Sequence, residues 1–250
     1  MFTKKRQSEI TSPERPEVRR GRGRPRGSTE QGIAARQRLY RTAIKLIASR
    51  GYEATTLRDI ASKAGVSVGL LYKYYPSKRA VVLALYDELS ADYAARAAKL
   101  KPDTWGARFS FALRTSLDVL APHRDALSAL LPVLVGTQDE GLFAPATGLS
   151  RERVQAVFGE VAAGATDAPK AEDDSAALGR VLYVVHLAVI LWWLIDKSPE
   201  QTATSRLVEA LERLVPMASL ALRLKLGRAW LQVADELCRR GLFGEGAERT

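Results

Sequence analysis

Between Thr55 and Lys78 two short helical patterns meet at one glycine, and this segment constrains the chain more than any other. In the first pattern Leu57, Ile60, Ala61 and Ala64 share one face. Thr56 stands where an N-cap belongs, with Asp59 three residues on, near the positive helix end. Gly65 permits a backbone turn that a side chain would resist. A second helix is expected over about Ser67–Tyr75, ended by Pro76, and Ser77 caps a further helix from Lys78 to about Lys99. On that second helix Leu71 and Tyr75 fall on one side. Gly69, Leu70 and Lys73 lie roughly opposite, so one side packs while the other is offered to a partner. Two helices joined by a tight glycine turn form a helix-turn-helix, whose second helix fits the major groove of DNA.

Charge supports a polyanionic partner for this region alone. The 250 residues carry a net charge of +10. Residues 1–80 hold 19 Lys and Arg against 6 Asp and Glu, whereas residues 81–250 hold 19 against 22. A basic front on a near-neutral body points to contact with nucleic acid through the front. Residues 1–29 are rich in Arg, Lys, Gly, Pro and Ser and read as a flexible basic arm. Residues 30–77 read as the DNA-binding unit. Its first helix runs from about Gln31 to Arg50, with Leu39, Ala43, Leu46 and Ile47 on one face and Gly51 as the stop.

Residues 78–250 continue as helices without strand-like alternation, so the fold class is all-α. The stripe Val82, Leu85, Tyr86, Leu89 and Tyr93 should be buried. Further helices are expected at Thr104–Leu120, Arg124–Val135, Leu149–Ala163, Asp174–Asp196, Pro199–Leu226 and Gly227–Arg240. Ser198-Pro199-Glu200-Gln201 has the pattern of a capping box with proline at the first helical position, and Pro216 is expected to kink the helix that follows. The apolar run Val181–Ile195, interrupted by His186, is short for a bilayer and reads as a buried helix. Met1–Arg26 has no apolar run, unlike a secretory signal. One cysteine, Cys238, permits no internal disulfide and fits a reducing cytoplasm.

The string Gly51-Tyr52-Glu53-Ala54-Thr55-Thr56-Leu57-Arg58-Asp59-Ile60-Ala61, then Ala64-Gly65-Val66-Ser67 and Leu71-Tyr72-Lys73-Tyr74-Tyr75-Pro76-Ser77-Lys78, resembles the N-terminal DNA-binding domain of the TetR family of bacterial transcriptional regulators. The resemblance covers about Leu39–Leu89. It implies a homodimer in which an N-terminal three-helix head binds an inverted-repeat DNA operator and a C-terminal helical domain binds a small ligand and joins the subunits. It places Ser67, Val68, Gly69, Leu70, Tyr72 and Lys73 in or beside the major groove, and Thr55, Thr56, Tyr74 and Lys78 on phosphates. Leu70 departs from the small or hydroxylated residue common in the family. Apolar Val68 and Leu70 can meet thymine methyls but make no bidentate hydrogen bonds. The segment Gly21-Arg22-Gly23-Arg24-Pro25-Arg26-Gly27 resembles an AT-hook core, with Arg22, Arg24 and Arg26 suited to a minor groove. It equally fits a solvated linker that attracts DNA by charge alone.

In the body, Trp105, Phe109, Leu113, Leu130, Phe158, Tyr183 and His186 are candidates for a ligand pocket, although residues of these types at helical spacing are as a rule core. Arg114, His123 and Arg180 are candidates for orienting a polar head group. Val184, Leu187 and Leu191, packed against Leu207, Leu211 and Leu214, are the expected dimer seam. No nucleotide-binding loop, zinc-binding helix motif or nucleophile elbow occurs, so no catalytic residue, metal site or cofactor is expected and the chain does not read as an enzyme. The resulting expectation is a cytoplasmic, nucleoid-associated repressor, without a membrane partner, released from its operator by a small lipophilic ligand. The alternative is an architectural DNA-binding protein without an effector.

Overall fold

A computed structural model describes residues 30–136 and 141–244, and among these every regular element is a helix. Three helices make the head: α1 (Glu30–Arg50), α2 (Leu57–Ala64) and α3 (Val68–Tyr74). Leu39, Ala43 and Ile47 of α1 meet Ile60 and Ala61 of α2 and Leu71 of α3, all buried. The expected faces are therefore the packed faces.

Helix α4 (Lys78–Ala97) leaves the head and enters the body. Its buried stripe is the expected one, extended by Val81, Ser90 and Ala97. The body adds α5 (Trp105–Leu120), α6 (Arg124–Ala129), α7 (Leu131–Leu134), α8 (Gly148–Ala163), α9 (Glu172–Ile195), α10 (Thr202–Arg223) and α11 (Lys225–Gly241). The negative charges Glu172, Asp173 and Asp174 occupy the first turn of α9, where the helix dipole favours them. By length and composition α9 could cross a membrane. Here it is a central element, packed on α8 and α11 and touching α5, α6 and α10.

Three local expectations are corrected. The single helix over 124–135 is two, because Pro132 starts a new turn at α7. The segment at 198–201 is not a capping box: Glu200 and Gln201 are left-handed, at φ 52° and 54°. Asp196 caps the helix instead. Its carboxylate accepts the Thr204 N–H at 2.9 Å, the Thr204 hydroxyl at 2.6 Å and the Ser198 N–H at 2.8 Å. These bonds, that from the Thr204 hydroxyl foremost, hold its carboxyl well below the usual range. Lastly, α10 runs through Pro216, and the break falls at Leu224, which is extended at φ −92°, ψ 148°.

Helix ends and crossings in the body have specific causes. Arg108, 6% exposed, donates to the carbonyls of Val161 (3.1 Å), Glu160 (2.6 Å) and Lys101 (2.6 Å). A buried guanidinium is tolerated there because it is hydrogen-bonded to carbonyls at the negative end of α8. Gly106 lets α5 approach α10 closely, since a Cβ there would overlap Val215. Arg180 of α9 forms a bidentate pair with buried Asp235 of α11, at 2.6 and 2.8 Å. Arg114 of α5 pairs likewise with Glu212 of α10, at 2.9 Å for both bonds. Both arginines thus join helices and neither lines the large cavity of the body, contrary to the head-group role expected for them; His123, in the short turn before α6, does not line it either.

Candidate nucleic-acid interface and ligand cavity

The exposed surface of the head is built by local capping. The Thr56 hydroxyl accepts the Asp59 N–H at 3.1 Å and donates to Asp59 Oδ2 at 2.7 Å, while the Thr56 N–H donates to the same carboxylate at 3.0 Å. These bonds, led by that from the Thr56 hydroxyl, lower the Asp59 pKa. At the other end of α2, Gly65 takes φ 65°, ψ 40°. The Val66 N–H then reaches the Ala61 carbonyl and the Gly65 N–H that of Ser62, both at 3.1 Å. This Schellman closure reverses the chain within two residues. Ser67 caps α3 by accepting the Leu70 N–H at 3.2 Å.

Anchored by buried Leu71 and Tyr75, α3 turns its opposite face outward. Val68, Gly69, Tyr72 and Lys73 are exposed on that face at i, i+1, i+4 and i+5, with Ser67 exposed at its start. Leu70 and Tyr74 are half-buried at its edges, and the Lys73 ammonium lies 5.7 Å from the Tyr74 ring centroid. Thr56 is exposed at the start of α2.

Two residues expected on phosphates sit differently. Thr55 is fully buried, and its hydroxyl donates to the Gly51 carbonyl at 2.8 Å. It closes the loop after α1, so its side chain is unavailable at the surface. The Lys78 ammonium donates to the Tyr52 carbonyl at 2.7 Å and lies 4.3 Å from the Tyr52 ring centroid. Lys78 thereby ties the start of α4 to the head, and a phosphate would share the same ammonium. Arg22, Arg24 and Arg26 lie outside the described residues.

The body holds a partly open cavity of about 530 Å³ with a largely apolar wall. Of the seven pocket candidates, Tyr183 and His186 line it. Trp105, Phe109, Leu113, Leu130 and Phe158 are buried core behind it and are corrected here. Phe158, for example, packs its ring against Phe109, Tyr183 and His186, at centroid distances of 6.1, 6.1 and 4.8 Å. The wall instead takes Tyr86, Leu89, Ser90 and Tyr93 from α4, Leu127 from α6, Leu131 and Leu134 from α7, and Val154 from α8. The two tyrosines on the α4 stripe were the available signal, since a phenol needs a polar partner that an ordinary core lacks. His186 Nε2 lies 2.8 Å from Ser116 Oγ, and burial pushes its pKa down to about 3, so the ring is neutral.

The expected seam does not form one exposed face. Val184, Leu187 and Leu191 line the cavity, Leu207 and Leu211 are half-buried against the core, and only Leu214 of the last three is largely exposed. The unpartnered apolar surface lies further along. Leu214, Met217 and Leu220 on α10, Leu224 at the break, and Leu226, Trp230, Val233 and Leu237 on α11 are 51–70% exposed. The α11 set recurs at i, i+4, i+7 and i+11, a single stripe legible in the sequence.

Residues 39–85 match the family model described as bacterial regulatory proteins, tetR family. Over 48 residues the chain is 42% identical to the uncharacterised regulator YerO of Bacillus subtilis, spanning 19% of this chain and 17% of that protein. It spans a third (33%) of the B. subtilis regulator YuxN, at 33% identity. A longer match, 27% identical, covers 72% of this chain and 82% of the transcriptional repressor KstR of Rhodococcus jostii. Among solved structures, a tetR-family regulator from Streptomyces coelicolor superposes with a TM-score of 0.56 at 23% identity, covering 86% of this chain and 91% of that one. FadR of B. subtilis, in complex with stearoyl-CoA, gives 0.56 at 16% identity, covering 70% and 96%. These structures share the fold: a helix-turn-helix head on an all-helical body. Given the head match and the capped α2–turn–α3 unit with its outward face, residues 39–85 form a DNA-binding domain of the TetR family of bacterial regulatory proteins, and the body shares the all-helical fold of that family's solved structures.

Proposed function

We propose that this protein is a homodimeric transcriptional repressor, a regulator rather than an enzyme, released from an inverted-repeat operator by a lipophilic small molecule. It would act in the cytoplasm, on the nucleoid. The observation that carries the reading is the path of α4. This helix starts at Lys78, bonded to the head, and its Tyr86, Leu89, Ser90 and Tyr93 form cavity wall. Tyr86 stands eight residues from Lys78, about 12 Å along the axis. A molecule that changes the wall therefore acts on a rigid element whose other end orients the recognition helix. Helix α6 supports the same coupling, since its Leu127 lines the cavity and the helix packs on α1. We accordingly divide the chain at residues 77 and 78, into the head and an effector-binding and dimerisation body.

The DNA face we assign is Ser67, Val68, Gly69, Leu70, Tyr72 and Lys73 in the groove, with Thr56, Tyr74 and Lys78 on phosphates. Two copies joined through the exposed faces of α10 and α11 would form a four-helix bundle. Both recognition helices must then stand roughly 34–36 Å apart to use both half-sites. A ligand shifts that spacing only if it binds the two states unequally, with typical couplings of about 1–3 kcal/mol. Similarity to the repressor KstR supports repression, and the stearoyl-CoA bound by FadR supports a lipophilic effector. An architectural protein without an effector would have no use for so large an apolar cavity beside its DNA-orienting helix.

The test is fluorescence anisotropy with inverted-repeat fragments from DNA flanking the protein's own gene. Preference over random duplex, abolished by members of a lipophile panel, is the expected result. No preference for any inverted repeat over bulk competitor would reject the proposal.

A further inference from the structure

Two polar atoms at the buried end of the cavity have no hydrogen-bond partner among the described residues: the Tyr93 hydroxyl and His186 Nδ1. Both side chains line the cavity, and both residues are more than nine-tenths buried, at 3% and 4% exposure. Their rings are nearly parallel, 5° apart in plane, with centroids separated by 6.0 Å. Ser116, Ser90, Thr147 and Arg151 of the wall already have partners within the protein. Ser116 Oγ is hydrogen-bonded to His186 Nε2 at 2.8 Å. Ser90 Oγ donates to the Asp87 carbonyl at 3.1 Å and accepts from Arg153 at 2.6 Å. Thr147 Oγ1 lies 2.8 Å from the Ala144 carbonyl, and Arg151 Nη1 donates to the Leu142 and Ala144 carbonyls at 3.2 and 3.3 Å.

An unpartnered buried donor or acceptor destabilises a fold, so its persistence needs a reason, and a ligand that completes it is one. The surroundings decide the charge of that ligand. Tyr93 and His186 are flanked by Phe158, Tyr183 and Ser116, none of them charged at neutral pH. Among the described residues Arg151 is the one cation in the wall, and its Nη1 holds the loop at 142–144. A carboxylate or ammonium set against Tyr93 and His186 would be stripped of water among these uncharged side chains. A neutral oxygen suffers no such penalty. A phenol can donate or accept, and Nδ1 does either according to tautomer.

We infer that the effector is a lipophile carrying an uncharged oxygen function, a hydroxyl or a ketone, at its buried end, where Tyr93 and His186 hydrogen-bond it. This inference rests on the effector reading above and narrows it to a chemical class.

The test uses the full-length protein, a neutral fluorescent probe, N-phenyl-1-naphthylamine, and three competitors of equal chain length: 1-decanol, 2-decanone and decanoate at pH 8. The expected result is displacement by decanol and decanone at concentrations about tenfold below that needed for decanoate, the size of one hydrogen bond. Tyr93→Phe, which keeps the ring, should remove most of that advantage while probe affinity stays within about twofold. Decanoate binding as well as decanol to the wild type, or Tyr93→Phe retaining the full advantage, would overturn the inference. The wild-type comparison alone decides if the variant does not fold. Those same preferences without any effect on DNA affinity would uphold the polar anchor and remove the effector reading instead. Absence of any probe binding would overturn the anchor.

Discussion

Lowering the pH from 7.5 to 5.0 should destabilise the folded protein through His186. The ring is buried among Tyr93, Phe158 and Tyr183, and burial pushes its pKa down to about 3. The folded state therefore keeps it neutral at both pH values. In the unfolded chain an imidazole titrates near ~6.5. As pH falls below that value the unfolded state gains a proton that the folded state does not bind, and stability drops. The contribution is fully present above about pH 6.5 and is lost progressively until pH nears the folded value. At pH 5.0 the unfolded chain is about 1.5 units below its pKa, which at about 1.4 kcal/mol per unit gives a loss of about 2 kcal/mol. That figure requires only that the folded pKa lie well below 5. The assay is urea unfolding followed by far-UV circular dichroism at fixed protein concentration, for the wild type and His186→Gln. The wild type should lose about 2 kcal/mol more than the variant between the two pH values. The carboxyls of Asp196 and Glu212, held low chiefly by bonds from Thr204 and Arg114, are present in both proteins and cancel. Equal losses would refute the argument, because they would mean that His186 titrates in the folded protein as it does in the unfolded chain.

Trp230→Glu should convert the proposed dimer to monomers in light scattering, whereas Leu211→Glu, half-buried within its own protomer, should perturb folding first; a persistent Trp230→Glu dimer would place the interface elsewhere. Asp235→Asn leaves the Arg180 guanidinium without its charged partner and should cost about 3 kcal/mol, near the lower end for a buried pair because Arg180 keeps some solvent. An unchanged urea midpoint would show that the pair contributes nothing to docking α11. Deleting residues 1–29 should reduce the salt-dependence slope of DNA binding by about 0.9 for each phosphate that the arm neutralises in the intact protein, and an unchanged slope would mean the arm stays off DNA.

The head was almost wholly legible because its rules are local. The Thr56 cap, the turn at Gly65 and the apolar faces of α1, α2 and α4 depend on residues a few positions apart, and each occurs where the pattern put it. The 198–201 cap was misread for the opposite reason. A sequence motif cannot compete with a carboxylate eight residues upstream of its partner, and Asp196 reaches Thr204 only once the chain has turned. Thr55 and Lys78 show the same limit within the motif itself, since burial and the Tyr52 carbonyl decide what those side chains do.

By its sequence alone the chain settled its class: period-3.6 stripes, an absence of alternation and a glycine-hinged pair of short helices leave an all-α protein with a basic helix-turn-helix head. Tertiary structure decided which apolar residues face a partner, a cavity or one another. Phe158 and Tyr183 are equally buried and of similar chemistry, yet only Tyr183 borders empty space. The reason is physical. Hydrophobic burial is non-directional, so periodicity reports that a face leaves water but not what it meets there. That is set by helix crossings, such as the close approach of Gly106 to Val215, which no short stretch of sequence contains.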